Sequence, residues 1–190
     1  MLLSLEADKP LEPLMREISL QPGDLSLVRQ PARIATILGS CVAFTMRHQP
    51  TGMAAMSHCL LPTRSGSRPM NPDESRYAYV DWTVEEMLGF FSRAGVPVPE
   101  IEVKLFGGSD VLQMLAGPKS VGRENLNLAM RLVQSKGLNL LASDVGGPAG
   151  RKIAFETISG RVRVYKMRSA AEQIIFQQQA QPAPCLQFAS

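Results

Sequence analysis

The chain has 190 residues, of which 45% are hydrophobic and 19% charged, which suits one substantial core and is short for two. Its 20 basic and 17 acidic residues are scattered and give a formal net charge of +3, so the chain lacks the basic stripe of a nucleic-acid-binding protein. The sequence has no apolar run of about 18 residues, and charged residues come too early for a signal peptide. We therefore expect a soluble cytoplasmic protein without direct membrane insertion.

The first 24 residues contain Pro10, Pro13 and Pro22 among mixed charges, which predicts an N-terminal extension of residues 1–24. A domain over residues 25–168 is expected to follow. The next stretch, "LSLVRQPARIATILGSCVAFTM", is rich in Val, Ile and Thr. Its interruptions by proline and glycine predict two short strands with a tight element at "LGSC".

The segment "RHQPTG" predicts a turn, and "MAAMSHCLL" after it predicts a third strand that forms a hairpin with the preceding one. Residues 63–76 carry Gly, Ser, Pro and charge without an apolar period, so we expect a mobile loop there. Asp81 is the predicted cap of a helix that ends near Gly95. Four apolar residues recur at helical spacing on one face of this helix: Val84, Met87, Leu88 and Phe91.

The second half of the domain predicts a half-buried strand at "IEVKLFGG", a helix over residues 124–136 stopped by Gly137, and three final strands. Those strands are "LNLLASD", "KIAFET" and "RVRVYKM". Residues 169–190 are rich in Gln and then contain Pro, which indicates a flexible or helical tail. Strands outnumber helices and occur in hairpin-like runs, so the predicted fold is α+β, with a mixed, layered β-sheet and flanking helices.

Two of the three cysteines and both histidines lie between residues 41 and 59. Gly39 and Ser40 precede Cys41, and their small side chains allow a sharp turn whose N–H groups face an oxyanion. His58 lies on the next predicted strand, where the hairpin brings its ring toward the Cys41 sulfur. This arrangement is compatible with a cysteine nucleophile and a histidine base.

Other roles for these residues remain open at this point. Cys41 alone is compatible with a small buried hydrophobe, and Cys59 belongs to the core because it faces away from His58 in a strand. His48 is predicted to be solvated in the turn. A metal site from these four residues lacks the usual close spacing of ligands, so we expect none. With Cys185 far away in the tail, the cysteines resemble no disulfide framework, which favours a reducing compartment.

The segments "TILGSCVAF" and "GMAAMSHCLLP" resemble the signature of the CheD family, the chemoreceptor glutamine deamidases of chemotaxis. The later blocks "SRYAYVDWTVEEML", "VKLFGGSDVL" and "SVGRENLNLAMRLVQSKGLNLLASDVGGPAGRKIAFETISGRVRVYKM" resemble the family in the same order. This resemblance covers about residues 20–168. It implies a fold similar to the catalytic domain of cytotoxic necrotizing factors.

The resemblance also implies a Cys-His-Thr triad. Cys41 matches the nucleophile, and His58 matches the histidine that the family places seventeen residues later. The family's threonine lies five or six positions before the cysteine, where this chain has Ala35 and Thr36, so Thr36 is the candidate. If the position of Ala35 is the required one, a bulge or a backbone carbonyl has to orient His58 instead.

The implied reaction is hydrolytic deamidation of glutamine on methyl-accepting chemotaxis receptors. A Cys41 thiolate paired with a His58 imidazolium attacks the carboxamide, and a γ-glutamyl thioester forms, without cofactor or metal. The alternative is a non-catalytic binding module that docks on receptors or on a CheC-type phosphatase, and a third possibility is another thiol amidase or peptidase. We expect a monomer.

Overall fold

The computed structural model describes residues 15–63, 75–110 and 120–167. These residues form nine strands and two α-helices. The strands are β1 (Arg16–Ser19), β2 (Leu25–Val28), β3 (Ala32–Leu38), β4 (Val42–His48), β5 (Met53–Ser57), β6 (Glu102–Gly107), β7 (Asn139–Val145), β8 (Arg151–Glu156) and β9 (Val162–Lys166). The helices are α1 (Val80–Ser92) and α2 (Val121–Ser135), and 3₁₀ turns occupy Arg76–Ala78 and Val98–Glu100.

The strands form two mixed sheets. The four-stranded sheet has the order β1-β3-β8-β9, and the five-stranded sheet has the order β2-β5-β4-β6-β7. Each sheet contains one parallel pair, β1 with β3 and β6 with β7, and its other neighbours are antiparallel. The predicted hairpin is confirmed as β4 and β5.

Two apolar cores divide the domain into layers. One core lies between the sheets, where Ile34 of β3 and Phe155 of β8 pack with Met56 of β5. The other core lies on the opposite face of the five-stranded sheet, where Phe44 packs against α1 and α2 residues such as Phe91. Alternate residues of β4 therefore enter different cores. This arrangement confirms the predicted α+β class with layered mixed sheets.

Helix α1 begins differently from the sequence prediction. Its N-cap is Tyr79, which makes no side-chain capping bond, and Asp81 is already the second helical residue. The N–H groups of Val80 and Asp81 donate to the carbonyls of Leu61 and Pro62 at 3.0 and 3.3 Å. Because backbone carbonyls already satisfy these first donors, Asp81 is not the N-cap, and its Oδ1 instead accepts from the N–H of Trp82 at 2.8 Å.

Helix α2 has the expected local signals at both ends. Its N-cap Ser120 accepts a hydrogen bond from Arg123 N–H, so the helix begins three residues before the predicted Glu124. At the other end, Gly137 has a φ of 61°, which confirms it as the left-handed stop.

Ordered structure starts upstream of Leu25. Strand β1 lies within the stretch that the sequence assigns to an extension, and it pairs in parallel with β3. The stretch from Leu25 to Met46 also holds three strands instead of the predicted two, because the chain bends at residues 29–30 between β2 and β3. Most of the predicted loop, residues 64–74, and the tail from residue 168 onward lie outside the described residues.

No helix in the described ranges is long and apolar enough to cross a membrane.

Candidate active site

The imidazole of His58 is held by a threonine from the opposite sheet. His58 follows β5 and is 2% exposed, and Thr36 in the middle of β3 is 4% exposed. Thr36 Oγ1 lies 2.7 Å from His58 Nδ1. The same hydroxyl donates to the backbone carbonyl of Leu20 at 2.8 Å. Thr36 therefore faces the gap between the sheets, and it reaches His58 without a bulge in β3.

These two bonds fix the tautomer of His58. A threonine hydroxyl has one hydrogen, and Thr36 gives it to Leu20. The contact with His58 therefore requires Nδ1–H to donate to the threonine oxygen. The lone pair is left on Nε2, which is buried and has no hydrogen-bond partner in the described part of the chain. The lone pair on His58 Nε2 is thus held in one orientation and can accept a proton.

The backbone of His58 is fixed by the turn between β1 and β2. His58 N–H donates to the Asp24 carbonyl at 3.0 Å, and the His58 carbonyl accepts from Gly23 N–H at 2.8 Å. Gly23 has a φ of 88°, a conformation that glycine adopts without strain. The β1–β2 turn therefore holds His58 through its main chain, and through Leu20 it also holds Thr36.

Cys41 lies on the same sheet face as His58. In the β4–β5 register Val42 pairs with Cys59, so His58 is the diagonal neighbour of Cys41 across the two strands. Diagonal neighbours have Cα atoms about 7–8 Å apart, and their side chains can meet. Cys41 is half-buried and packs against the core between the sheets. Its sulfur makes no hydrogen bond to Nε2 here, and such bonds are often looser before substrate binds.

The loop of residues 39–41 is hydrogen-bonded to the segment that follows β6, which contains the glycine pair Gly107 and Gly108. Gly108 N–H donates to the Cys41 carbonyl at 2.8 Å, and Ser109 N–H donates to the Gly39 carbonyl at 2.9 Å. Gly107 has a φ of 97°, and a Cβ there would overlap the Cys41 carbonyl oxygen. From sequence, this glycine pair is only the end of the predicted strand "IEVKLFGG". The structure shows that the pair makes room for the cysteine backbone.

The N–H groups of Ser40 and Cys41 donate to no backbone carbonyl within the described ranges. They belong to Cys41 and the residue before it, so they are the backbone donors nearest in sequence to a carbonyl oxygen that acquires negative charge when the sulfur attacks.

Burial determines which ionisation states of Cys41 and His58 are favoured. It raises the pKa of the Cys41 thiol, and the N–H of Cys41 itself opposes this more weakly. Burial also lowers the pKa of His58 to about 4, opposed by the backbone of Leu20. Both directions favour a neutral thiol beside a neutral imidazole over the thiolate–imidazolium pair expected from the sequence.

The other two candidates lie elsewhere. Cys59 is fully buried in the core between the five-stranded sheet and the helices, as predicted. His48 is not solvated, and that prediction is wrong. It is 6% exposed as the last residue of β4, because its ring lies between Thr51 Oγ1 at 2.9 Å and Glu100 Oε2 at 3.1 Å. The part of the chain that the structure describes holds no group of three or more His, Cys, Asp or Glu side chains placed to bind a metal ion.

Sequence reasoning missed two contributors to this site. Leu20 supplies a carbonyl that no side-chain pattern marks. Asn125, on α2, is fully buried and donates from Nδ2 to the carbonyls of Ser40 and Leu60 at 3.1 and 2.8 Å. The one available signal was a polar residue on the apolar face of α2, between buried Gly122 and Ala129.

A half-buried thiol, an oriented imidazole whose Nε2 has no partner among the described residues, and backbone N–H groups that donate to no backbone carbonyl there are the parts of a cysteine-dependent acyl-transfer site. Comparison with protein families then assigns the chain. It belongs to the CheD family, whose description is CheD chemotactic sensory transduction, and residues 60–166 match it.

Curated relatives match over most of their length. A protein of Geobacter sulfurreducens, named probable chemoreceptor glutamine deamidase CheD 2, is 36% identical over 82% of this chain and 92% of its own. A probable chemoreceptor glutamine deamidase CheD of Maridesulfovibrio salexigens is 35% identical over 80% of this chain and 93% of its own. A third, of Rhizobium rhizogenes with the same name, is 31% identical over 86% of each chain.

Proposed function

We propose that this protein hydrolyses glutamine side chains of chemotaxis receptors to glutamate, as a protein-glutamine glutaminase with Cys41 as nucleophile. Membership of the CheD family and the names of the relatives support the reaction and the substrate class. The observation that carries the assignment to these residues is the chain of hydrogen bonds from Leu20 through Thr36 to His58. It leaves Nε2, which has no hydrogen-bond partner in the described ranges, to accept a proton.

The first half of the reaction forms a thioester. The Cys41 sulfur attacks the side-chain carbonyl carbon of the glutamine while its proton passes to His58 Nε2. The carbonyl oxygen becomes an oxyanion, which the N–H groups of Ser40 and Cys41 stabilise next to the turn at Gly39. The carbon–nitrogen bond then breaks, His58 returns the proton to the leaving nitrogen, and ammonia departs from a γ-glutamyl thioester.

The second half restores the enzyme. His58 Nε2 takes a proton from a water molecule, whose oxygen attacks the thioester carbonyl carbon. The carbon–sulfur bond breaks, Cys41 recovers the proton from His58, and the receptor keeps a glutamate. Proton transfer accompanies attack at both steps, because burial disfavours both ionised forms of the resting pair. Thr36 keeps the base in one tautomer throughout, and no step draws on a cofactor or metal.

The assignment is tested with purified protein and fragments of the cognate receptors. Mass spectrometry should detect conversion of specific glutamines to glutamates by the native chain and by Cys59→Ala, the control thiol in the core. The variants Cys41→Ala and His58→Ala should lose the activity. A protein that binds receptors without converting any glutamine would instead support the alternative, a non-catalytic binding module.

We further propose that the protein acts in the cytoplasm as a monomer and also docks on a CheC-type phosphatase. The family description, CheD chemotactic sensory transduction, supports a partner among chemotaxis proteins, and docking and deamidation can coexist. Size-exclusion chromatography with light scattering, alone and with the purified phosphatase, tests the monomeric state and the docking. A dimer in the absence of partner, or two separate peaks in the mixture, would contradict them.

A further inference from the structure

The β4–β5 ladder opens into a fork beside Cys41. Val42 and Cys59 exchange two backbone hydrogen bonds, of 3.0 and 2.8 Å. In a regular antiparallel ladder the next hydrogen-bonded pair would be Ser40 with Leu61. Leu61 turns away, however, because its N–H donates to the Ala78 carbonyl at 3.0 Å and its carbonyl accepts from Val80 N–H at 3.0 Å.

The side-chain amide of Asn125 fills this fork. Its Nδ2 donates to the Ser40 carbonyl on one arm and to the Leu60 carbonyl on the other. Both acceptors are carbonyl oxygens, so the amide nitrogen has to face them. One side chain from α2 thus fixes the separation of the segment that carries Cys41 and the segment that carries His58.

The fork has a consequence for the N–H of Ser40. In a continued ladder this group would donate to the Leu61 carbonyl, but that carbonyl is taken by Val80. We infer that Asn125 is a positioning residue that holds the fork open and keeps the N–H group of Ser40 available as a donor of the oxyanion hole. This inference rests on the proposed role of Cys41 as nucleophile.

The amide oxygen of Asn125 supports this role. Oδ1 is buried and has no hydrogen-bond partner within the described ranges. A buried acceptor without a partner destabilises a fold. At this fully buried position, the side chain of Asn125 therefore contributes through the two hydrogen bonds that its amide nitrogen donates.

The test uses two reactions of Cys41 that need no receptor. With p-nitrophenyl acetate, the sulfur attacks the ester carbonyl, the bond to p-nitrophenolate breaks and the thiol proton leaves through His58, so an oxyanion forms on the way. With iodoacetamide, the sulfur displaces iodide at a saturated carbon and no oxyanion forms. The ratio of the two rates isolates the oxyanion hole, and mass spectrometry assigns both products to Cys41.

The variant Asn125→Asp replaces the donor group with acceptors at nearly constant shape, and Asn127→Asp makes the same change at an exposed position of α2. We expect Asn125→Asp to lower the ratio of acylation to alkylation at least about tenfold, since the loss of one oxyanion donor costs about 100-fold or more. Asn127→Asp should match the native chain. Equal slowing of both reactions, or no slowing, would overturn the inference.

A pH profile separates positioning from damage to the fold. On acidification the introduced carboxyl gains a proton that it can donate to one of the two carbonyls, so the ratio should partly recover in Asn125→Asp. A flat profile would count against the inference. If Asn125→Asp does not fold, Asn125→Ala, which adds no charge, replaces it in the same rate measurements. If neither variant folds, Asn125 stabilises the fold and the inference of a positioning role is overturned. Since no receptor is used, failure of the proposed deamidation remains a separate result.

Discussion

Thr36 acts on His58 through one hydroxyl group that takes part in two hydrogen bonds. Because its hydrogen points to Leu20, its oxygen can only accept from the imidazole, and the unprotonated nitrogen of the ring is therefore Nε2. The sequence left open whether Ala35 or Thr36 occupies the orienting position. The β3 register places Thr36 on the inner face with Ile34 and Leu38, so no distortion of the strand is required.

The first prediction concerns this hydroxyl. Thr36→Val keeps the shape of the side chain but leaves Nδ1–H without its acceptor, so His58 loses its fixed tautomer. We expect the rate constant kcat for receptor deamidation to fall about 100-fold, within the range supplied by a positioned general base. Thr36→Ser keeps the hydroxyl and should retain most of the activity. Equal rates for the native chain and Thr36→Val would show that another group orients His58.

The second prediction concerns pH and stability. His58 has a pKa of about 4 in the folded protein, against 6.5 as its ordinary value. As the pH falls, His58 therefore binds a proton in the unfolded chain before it does so in the folded protein. The contribution of neutral, buried His58 to the free energy of unfolding is fully present above pH 6.5 and is lost as the pH falls to 4. Urea unfolding should show a loss of about 3 kcal/mol from this group. His58→Gln should lose less stability over the same interval, and an identical pH dependence would contradict the shift.

At the scale of elements, the sequence predicted the features that depend on residues close together in the chain, such as turns and hairpins. The turn "RHQPTG" predicted the β4–β5 hairpin, and the hairpin brings Cys41 and His58 to one face. The β1–β2 turn and Asn125 were missed, because their roles depend on distant contacts. Leu20 meets a residue 16 positions away, and Asn125 meets one 85 positions away. Hydrophobic periodicity reports which face of an element is buried, not which carbonyl it meets.

The third prediction concerns the turn after β6. Gly107→Ala would force a Cβ against the Cys41 carbonyl, in addition to the strain of a positive φ. We expect a lower midpoint of thermal unfolding and slower acylation of Cys41. Gly137→Ala is the matched control, since Gly137 also has a positive φ but a Cβ there meets nothing within 4 Å. Its cost should be about 1 kcal/mol, without an effect on the thiol. Equal effects of the two changes would contradict the close approach.

At the scale of the whole molecule, the candidate active site lies at one end of the gap between the sheets. Near the other end, two basic side chains bind the β8–β9 turn, and we call these contacts the polar clamp. Arg47, near the end of β4, donates to the Thr157 carbonyl at 2.9 Å and pairs with Glu102 at 2.8 Å. It thereby ties the β8–β9 turn to the five-stranded sheet. Lys104 adds a bond to the carbonyl of Gly160 at 2.8 Å in the same turn. About 20 Å of strand separates this clamp from Cys41.

The fourth prediction separates stability from chemistry. Arg47→Leu should lower the free energy of unfolding by about 2–4 kcal/mol, because buried acceptors lose a charged donor. The acylation rate of Cys41 should not change while the protein is folded. Arg93→Leu breaks an exposed pair with Glu86 and should cost at most about 1 kcal/mol. A slower Cys41 reaction in folded Arg47→Leu would show that the two ends of the gap are coupled.

The most direct test of the proposed function is the conversion of receptor glutamines, followed by mass spectrometry. The native chain and fragments of its cognate receptors should give glutamate at specific positions, with Thr36→Ser active and Cys41→Ala inactive. Conversion by Cys41→Ala at the native rate would contradict the account.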